Sequence, residues 1–313
     1  MTKLDAARLG EQLSLPVIAA PMFLVSGREL VIACCREGVL GTFPAANARE
    51  QGDLGQWLEE IEETLATVRA EEPRRTVAPY GVNLIMRSPR LPEDLATTVA
   101  HRVPFVVASV GNPTRVVEQV HAYGGLVFAD VATVLHAHKA LATGVDGLIL
   151  LCAGAGGNTG WLNPFAFVSA VRDFYDGPLV LAGGIHNGRS IRAAQVLGAD
   201  YAYMGTGFIP TVESMAHDAY RDMLIAATAD DVMLTTTITG IPSNMVRASL
   251  AQAGFFADIP EQKHPFYFQK AYTERKAWKD VRSAGHGVGE VREIESVSAL
   301  VARLRAEYAA ASQ

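Results

Sequence analysis

Cysteine is scarce in this 313-residue chain: it has three, and two of them, Cys34 and Cys35, are adjacent. They cannot form the paired framework that staples small secreted domains, which excludes a disulfide scaffold and makes a cytoplasmic location the expectation. Long apolar runs are absent too, since none approaches the roughly 18 residues that span a bilayer. Residues 1–16 carry acidic side chains and no apolar core, so no signal peptide is expected.

An excess of basic side chains is also missing. The formal net charge of −6 at pH 7 and the isoelectric point of about 5.8 argue against nucleic acid or an anionic membrane as the main partner. No spacing of His, Cys, Asp or Glu resembles a zinc or calcium site, so no metal is predicted. The chain does have apolar material: 49% of its residues are hydrophobic and 19% are charged, which favours a large core over disorder.

Short apolar runs alternate with helical patterns along most of the chain. Eight of these runs are predicted strands, at 16–20, 39–43, 79–84, 104–108, 125–129, 147–151, 178–182 and 200–204. They are almost wholly apolar, as parallel strands buried on both faces are. Eight strands match an α/β fold of the (β/α)8 TIM-barrel type better than an open doubly wound sheet.

The alternation stops after residue 208. Residues 209–280 have a helical and loop character, with a polar and aromatic stretch at 255–278. We predict that 209–280 form a small helical lid inserted near the C-terminus, over a barrel made of 1–208 and 281–313.

Two glycine turns lie close together between 180 and 208. The first is Gly183-Gly184 and the second is Gly205-Thr206-Gly207, and a strand precedes each of them. Turns at the same end of adjacent parallel strands can point backbone N–H groups at one anion, which indicates a phosphate site. The alternative is that these glycines only permit tight turns.

Other strand ends carry unusual residues. The first strand ends in Ala20-Pro21-Met22, the third in Asn83 and the fifth in Asp130. The sixth is followed by a loop with four glycines between 154 and 160, which predicts close approach of a ligand to the backbone. In a barrel these ends share one face, the active-site face.

Six short motifs occur in a distinctive order: APM at 20–22, GVN at 81–83, CAGAGGNTG at 152–160, AGGI at 182–185, MGT at 204–206 and SAGHG at 283–287. Together they resemble the nitronate monooxygenase family, formerly called 2-nitropropane dioxygenases, over roughly residues 14–290. The resemblance implies a TIM barrel that holds non-covalent FMN at its top. It implies these cofactor contacts: Gly183, Gly184, Gly205 and Thr206 to the phosphate; Ala20, Pro21, Met22 and Asn83 to the ring; Asp130, Gly157, Ser283 and Gly285 around the site.

The chain departs from the family pattern at the position of its catalytic histidine. Many relatives have histidine where this chain has Asn158, and asparagine cannot abstract a proton near neutral pH. His286, where glutamine is more common, and His186 are the candidates to replace it. Alternatively, His186 caps a helix and His286 fills the glutamine's space.

Asp130 is a second departure, since some relatives have lysine there. A carboxylate beside a reduced flavin is unfavourable unless it is protonated, paired or turned away.

The resemblance implies oxidation of alkyl nitronates by O2 through reduced flavin. A nitronate is already an anion, so this reaction needs no base, which suits Asn158. The alternative on the same scaffold is NAD(P)H-dependent reduction of an enone, enoyl thioester or quinone. A third reading, a flavin-free barrel acting on a sugar phosphate, is disfavoured by the apolar end of the first strand.

Overall fold

Eight parallel strands close into a barrel, which confirms the predicted fold class. The computed structural model describes residues 5–50, 52–236, 238, 240–255 and 281–313. The strands are β1 Val17–Ala19, β2 Leu40–Pro44, β3 Tyr80–Ile85, β4 Phe105–Ser109, β5 Leu126–Val131, β6 Gly147–Leu151, β7 Gly157–Asn158, β8 Leu179–Ala182, β9 Tyr201–Met204, β10 Val232–Thr235 and β11 Ser243–Val246. The barrel order is β1-β2-β3-β4-β5-β6-β8-β9, and β1 closes the ring by pairing with β9, Val17 opposite Ala202.

Helices surround the barrel. They are α1 Arg28–Arg36, α2 Asp53–Glu71, α3 Leu91–Ala100, α4 Thr114–Tyr123, α5 Val134–Leu141, α6 Pro164–Arg172, α7 Gly188–Leu197, α8 Asp218–Ala226, α9 Arg247–Gln252 and α10 Val297–Ala311. Local sequence fixes their ends: Asn187 and Ser190 form a capping box at the start of α7, and Gly124 ends α4 in the left-handed conformation. No helix in the described ranges is both long and apolar enough to cross a membrane.

The barrel strands are buried on both faces, as their apolar sequences predict. In β5, Leu126 and Phe128 belong to the cluster that fills the interior, while Val127 and Ala129 pack against the helices. The interior includes a tilted pair of rings, Phe105 and Phe128, whose centroids are 4.8 Å apart. Because side chains alternate along a strand, the next inward residue of β5 is Asp130. The apolar filling therefore gives way to a polar residue near the C-terminal end of the strand.

The insertion after β9 contains strands as well as helices. Strand β10 pairs antiparallel with β11, and β11 pairs with β7, which lies in the loop after β6. The sequence predicts a helical lid with loops and no strands here; the difference arises because the run 232–235 (VMLT), which is rich in β-forming residues, pairs with 243–246. The division into barrel and lid domains stays a prediction, and residues 256–280, with most of the aromatic stretch, lie outside the described residues.

Candidate active site

One cavity of about 1660 Å³ opens at the C-terminal ends of the barrel strands. It brings together most of the residues that the sequence singles out. The lining includes Ala20, Pro21, Met22, Asn83, Asp130, Gly157, Asn158, Gly183, Gly184, Gly205, Thr206, Ser283 and Gly285. Their roles stay predictions, but residues far apart in sequence share one surface, as the barrel topology requires.

The two glycine turns sit side by side after β8 and β9. Gly183 and Gly184 have φ angles of 127° and 69°, which favour glycine. A Cβ on Gly183 would lie 2.9 Å from the carbonyl oxygen of Ala153, whereas one on Gly184 would meet nothing within 4 Å. The backbone N–H groups of Gly184 and Gly205 donate to no residue in the described part of the chain. These turns therefore present free donors to the cavity.

The turn at 283–287 is wedged between the loop after β6 and the turn after β9. The Gly285 N–H donates to Thr206 Oγ1 at 2.9 Å, which leaves the Thr206 hydroxyl proton for another acceptor. The His286 N–H donates to the carbonyl oxygen of Gly154 at 3.0 Å. A Cβ on Gly285 would lie 2.7 Å from that same oxygen, so only glycine fits. The returning chain thereby fixes both neighbouring loops.

Asn83 and the end of β1 form another part of the lining. Asn83 Nδ2 donates to the carbonyl oxygen of Val107 at 3.1 Å and to Ser109 Oγ at 3.0 Å. This pairing orients the carboxamide and leaves Oδ1 as an acceptor. Ala20 and Met22 flank Gly205, since a Cβ there would meet Met22 Sδ at 3.4 Å and Ala20 Cβ at 3.6 Å. An apolar wall thus stands next to one oriented polar group.

Asn158 is held by the insertion. Its Oδ1 accepts from Ser243 Oγ at 3.0 Å, and the two residues are paired in the β7–β11 ladder. The carboxamide can therefore donate through Nδ2 to a ligand, but it cannot titrate. The insertion also holds the backbone of this loop, because Asn244 Nδ2 donates to the carbonyl oxygen of Ala155 at 2.7 Å.

Asp130 is the titratable group of the cavity floor. Its Oδ1 is buried without a hydrogen-bond partner among the described residues, and so is the hydroxyl of Tyr203, which also lines the cavity. Burial raises the pKa of the Asp130 carboxyl to about 7. Burial, followed by the nearby Asp130 carboxylate, raises the pKa of Tyr203 well above its usual value. Of the three conditions that make this carboxyl tolerable beside a flavin, the structure fits protonation.

The two candidate histidines do not line the cavity. His186 Nδ1 lies 2.8 Å from the carbonyl oxygen of Gly184, and its ring lies against Gly287. His286 is exposed, and its ring lies against Gly154. Their position behind the glycine loops gives no support to a proton-transfer role for either.

Several lining residues are not recognisable from sequence motifs. They are Arg49, Arg87, Lys139 and Tyr203. Ser243 does not line the cavity but holds Asn158, which does. Side-chain alternation along β9 could have identified Tyr203. Tyr201 and Tyr203 both point into the barrel and belong to the interior cluster.

Comparison with known proteins identifies the family of the chain. The family model described as nitronate monooxygenase matches residues 10–307. A nitronate monooxygenase of Pseudomonas aeruginosa is 30% identical over 266 residues, covering 72% of this chain and 74% of that protein. The (3aS,4S,5R,7aS)-5-hydroxy-7a-methyl-1-oxo-octahydro-1H-indene-4-carboxyl-CoA dehydrogenase of Mycobacterium tuberculosis is 27% identical over 240 residues, covering 76% of this chain. The match spans 64% of that dehydrogenase, less than two thirds of its length.

The fold is shared with solved structures. FabK from Thermotoga maritima superposes with a TM-score of 0.78 at 23% identity, covering 99% of this chain and 98% of that one. At that identity the likeness establishes the fold. The family match over nearly the whole chain establishes more: this chain belongs to the nitronate monooxygenase family.

Proposed function

We propose that the protein is an FMN-dependent oxidoreductase that oxidises alkyl nitronates with O2. The observation that carries this proposal is the pair of turns after β8 and β9. Their unused N–H groups at Gly184 and Gly205 suit a phosphate, and an apolar strand end lies beside them.

The lining fits FMN on its own chemistry. A Cβ on Gly184 would stand in open space at the cavity surface, which is the space that a phosphate needs. The Thr206 hydroxyl is free to donate to the same anion. The wall from Ala20 to Met22 suits a flat ring, and Asn83 Oδ1 can accept from a ring N–H.

Bound FMN supplies an acceptor for electrons from the substrate and a carrier that passes them to O2. The chain's own residues orient the substrate and limit charge. Asn158 donates from Nδ2 to a substrate oxygen, which holds a nitronate without removing a proton. The pKa of the Asp130 carboxyl is about 7, so the carboxyl keeps its proton in mildly acidic solution and the cavity floor carries little negative charge there.

A second candidate is a flavin-dependent reductase or dehydrogenase of an enone, enoyl thioester or quinone, with NAD(P)H as the donor in the reductase. The specific observation in its favour is the mycobacterial relative, whose name is that of a coenzyme A thioester dehydrogenase. The cavity is also larger than the roughly 300–1,000 Å³ of ordinary ligand pockets.

Anaerobic reduction of the flavin separates these functions. We expect the purified protein to be yellow, and its flavin absorbance to bleach with propyl-2-nitronate or propionate-3-nitronate but not with NAD(P)H. Bleaching by NAD(P)H alone would transfer the proposal to the reductase. A protein that stays colourless after incubation with FMN would contradict both flavin functions.

A further inference from the structure

The cavity carries positive charge away from the glycine turns. Arg49 lies in the loop after β2, Arg87 in the loop after β3 and Lys139 on α5, and all three line the cavity. None of them forms an ion pair with an acidic residue in the described ranges. Arg90 differs, because it pairs with Asp94 at 3.0 Å and donates to the carbonyl oxygen of Ala48. Arg282 also lines the cavity, and its guanidinium lies over the Tyr220 ring, 5.3 Å from the centroid. Arg49, Arg87 and Lys139 are thus the lining cations that are available to a ligand.

The barrel order places the two arginines across the mouth from the turns. In the closed ring, β3 is the third strand and β8 the seventh, so the two are diametrically opposed. Arg87 follows β3, and the Gly183-Gly184 turn follows β8. Arg49 follows β2, which is next to β3 in the ring, and Lys139 lines the cavity from the last turn of α5. We call these three residues the cationic arm, and none of them belongs to the turns.

The charge of the arm runs against the charge of the chain. The chain has a formal net charge of −6, yet the described lining contains a single acidic side chain, Asp130. Burial raises the pKa of that carboxyl to about 7, so it carries about half a negative charge at neutral pH and less below it. Cations concentrated in a concave site of an acidic protein attract anionic ligands. The arm therefore points to an anion.

Backbone strain marks the loop within this side of the mouth. Val110, after β4, lines the cavity with a φ of 57°, a conformation that β-branched residues rarely adopt. Such strain collects at ligand sites, where the surrounding structure holds it in place.

The cavity volume decides between a small ligand and a large one. A drug-sized ligand occupies a pocket of about 300–1,000 Å³. The cavity of about 1660 Å³ exceeds that range, and its lining continues from the mouth along α5 as far as Thr143, so it has room for an elongated ligand besides one at the turns. A short nitronate reaching the ring would leave the arm empty.

We propose that Arg49, Arg87 and Lys139 bind the phosphate groups of a nucleotide-bearing substrate or co-substrate. Guanidinium groups bind phosphate oxygens in pairs, and the lysine adds a point charge. The proposal rests on the proposed flavin function for what happens at the ligand's other end, near the ring site. Two nucleotides share the required chemistry: the coenzyme A portion of an acyl thioester, and NADP(H).

Titration calorimetry of the FMN-loaded protein tests the arm through binding alone. The probes are coenzyme A and, separately, NADP⁺, neither of which reduces the flavin. The variants are Arg87→Gln and the triple change Arg49→Gln, Arg87→Gln, Lys139→Gln, all at exposed positions, where glutamine keeps a long polar side chain. The control is Arg115→Gln on α4, an exposed arginine that does not line the cavity.

We expect at least one probe to bind the wild-type protein, and its Kd to rise at least about tenfold in the triple variant. Arg87→Gln should give a smaller rise and Arg115→Gln none. Binding of coenzyme A identifies a thioester substrate, and binding of NADP⁺ identifies a reductase co-substrate. The proposal is contradicted if neither probe binds with a Kd below about 1 mM, or if the Kd of the triple variant is within about twofold of the wild-type value. A yellow protein that fails this test loses the arm and keeps the flavin function.

Discussion

The interior of the barrel has two halves that are built from the same strands but differ in chemistry. The lower half is filled by side chains such as Leu126 and Phe128, which are almost fully buried and packed against one another. The upper half contains Asp130 and Tyr203, which each leave a buried polar atom without a partner in the described structure. The lower half is packed for stability, and the upper half gives up packing and hydrogen bonding to leave a cavity. A substitution in each half should therefore affect a different property.

The largest expected effect is on stability, from Phe128→Ala. Removing the ring leaves a hole beside Phe105, and such changes cost about 3–5 kcal/mol of unfolding free energy. Urea unfolding followed by circular dichroism measures it. The matched change in the upper half is Tyr203→Phe, which removes an unpaired hydroxyl and should cost less than about 1 kcal/mol. Equal losses in the two variants would contradict the contrast between the halves.

The next effect is on cofactor binding, from Gly184→Val. A side chain there would adopt an unfavourable φ of 69° and stand in the open space beside the turn. We expect the FMN content to fall below about a tenth of the wild-type value, and the strain to cost about 1–3 kcal/mol. The control is Gly52→Val, which has a φ of 90°, equally open surroundings and no place in the cavity lining. It should lose similar stability and keep its FMN; unchanged FMN in Gly184→Val would rule out the phosphate site.

A smaller effect concerns pH, from Asp130→Asn. The pKa of about 7 lies above the value of about 4 for an unfolded aspartate. Between these values the folded protein keeps a proton that the unfolded chain releases, so the wild-type free energy of unfolding falls as pH rises through this window. The variant should lack this decline and gain about 1–3 kcal/mol on the wild type between pH 4 and pH 8, less than the full shift implies because Asp130 borders the cavity.

Chemical denaturation at a series of pH values measures this difference. Asp222→Asn, at an exposed position on α8, serves as the control and should follow the wild-type curve. Parallel curves for Asp130→Asn and the wild type would show that the Asp130 carboxyl does not hold its proton.

The smallest effect is expected from His286→Ala. The imidazole is exposed and does not line the cavity, so turnover and its pH profile should change by less than about twofold. A shifted pH profile would instead assign this histidine a role in proton transfer.

The barrel could be predicted from sequence because its signal is local. Each barrel strand is a short apolar run. Each of the eight, such as β4 at Phe105–Ser109, begins and ends within about two residues of its predicted bounds. The glycine turns were recognisable for the same reason, since their residue types determine their backbone. The contacts between distant segments could not be predicted from sequence in this way. The pairing of β11 with β7 joins residues about 85 positions apart, and no local pattern near Asn158 or Ser243 predicts this pairing.

The positions of the polar side chains were only partly predictable. Asp130 was recognised as a residue at a strand end, but its unpaired state depends on the whole ring of strands around it. The roles of His186 and His286 stay predictions, because adjacency to a glycine turn does not say which side of the turn a ring takes. Arg49, Arg87 and Lys139 resemble ordinary surface charges until the fold brings them to the lining of one cavity.

The closing pair of strands has a consequence for how the protein is made. Strand β1 leaves the ribosome early, but its partner on one side, β9, comes only after the other barrel strands. Until then the nascent sheet has two open edges, and an open edge can pair with a strand of another chain. A chain that is truncated between β8 and β9 would therefore keep both edges open and be prone to aggregate. Only when residues 201–204 are available can β9 pair with both β8 and β1, and this pairing removes the two open edges.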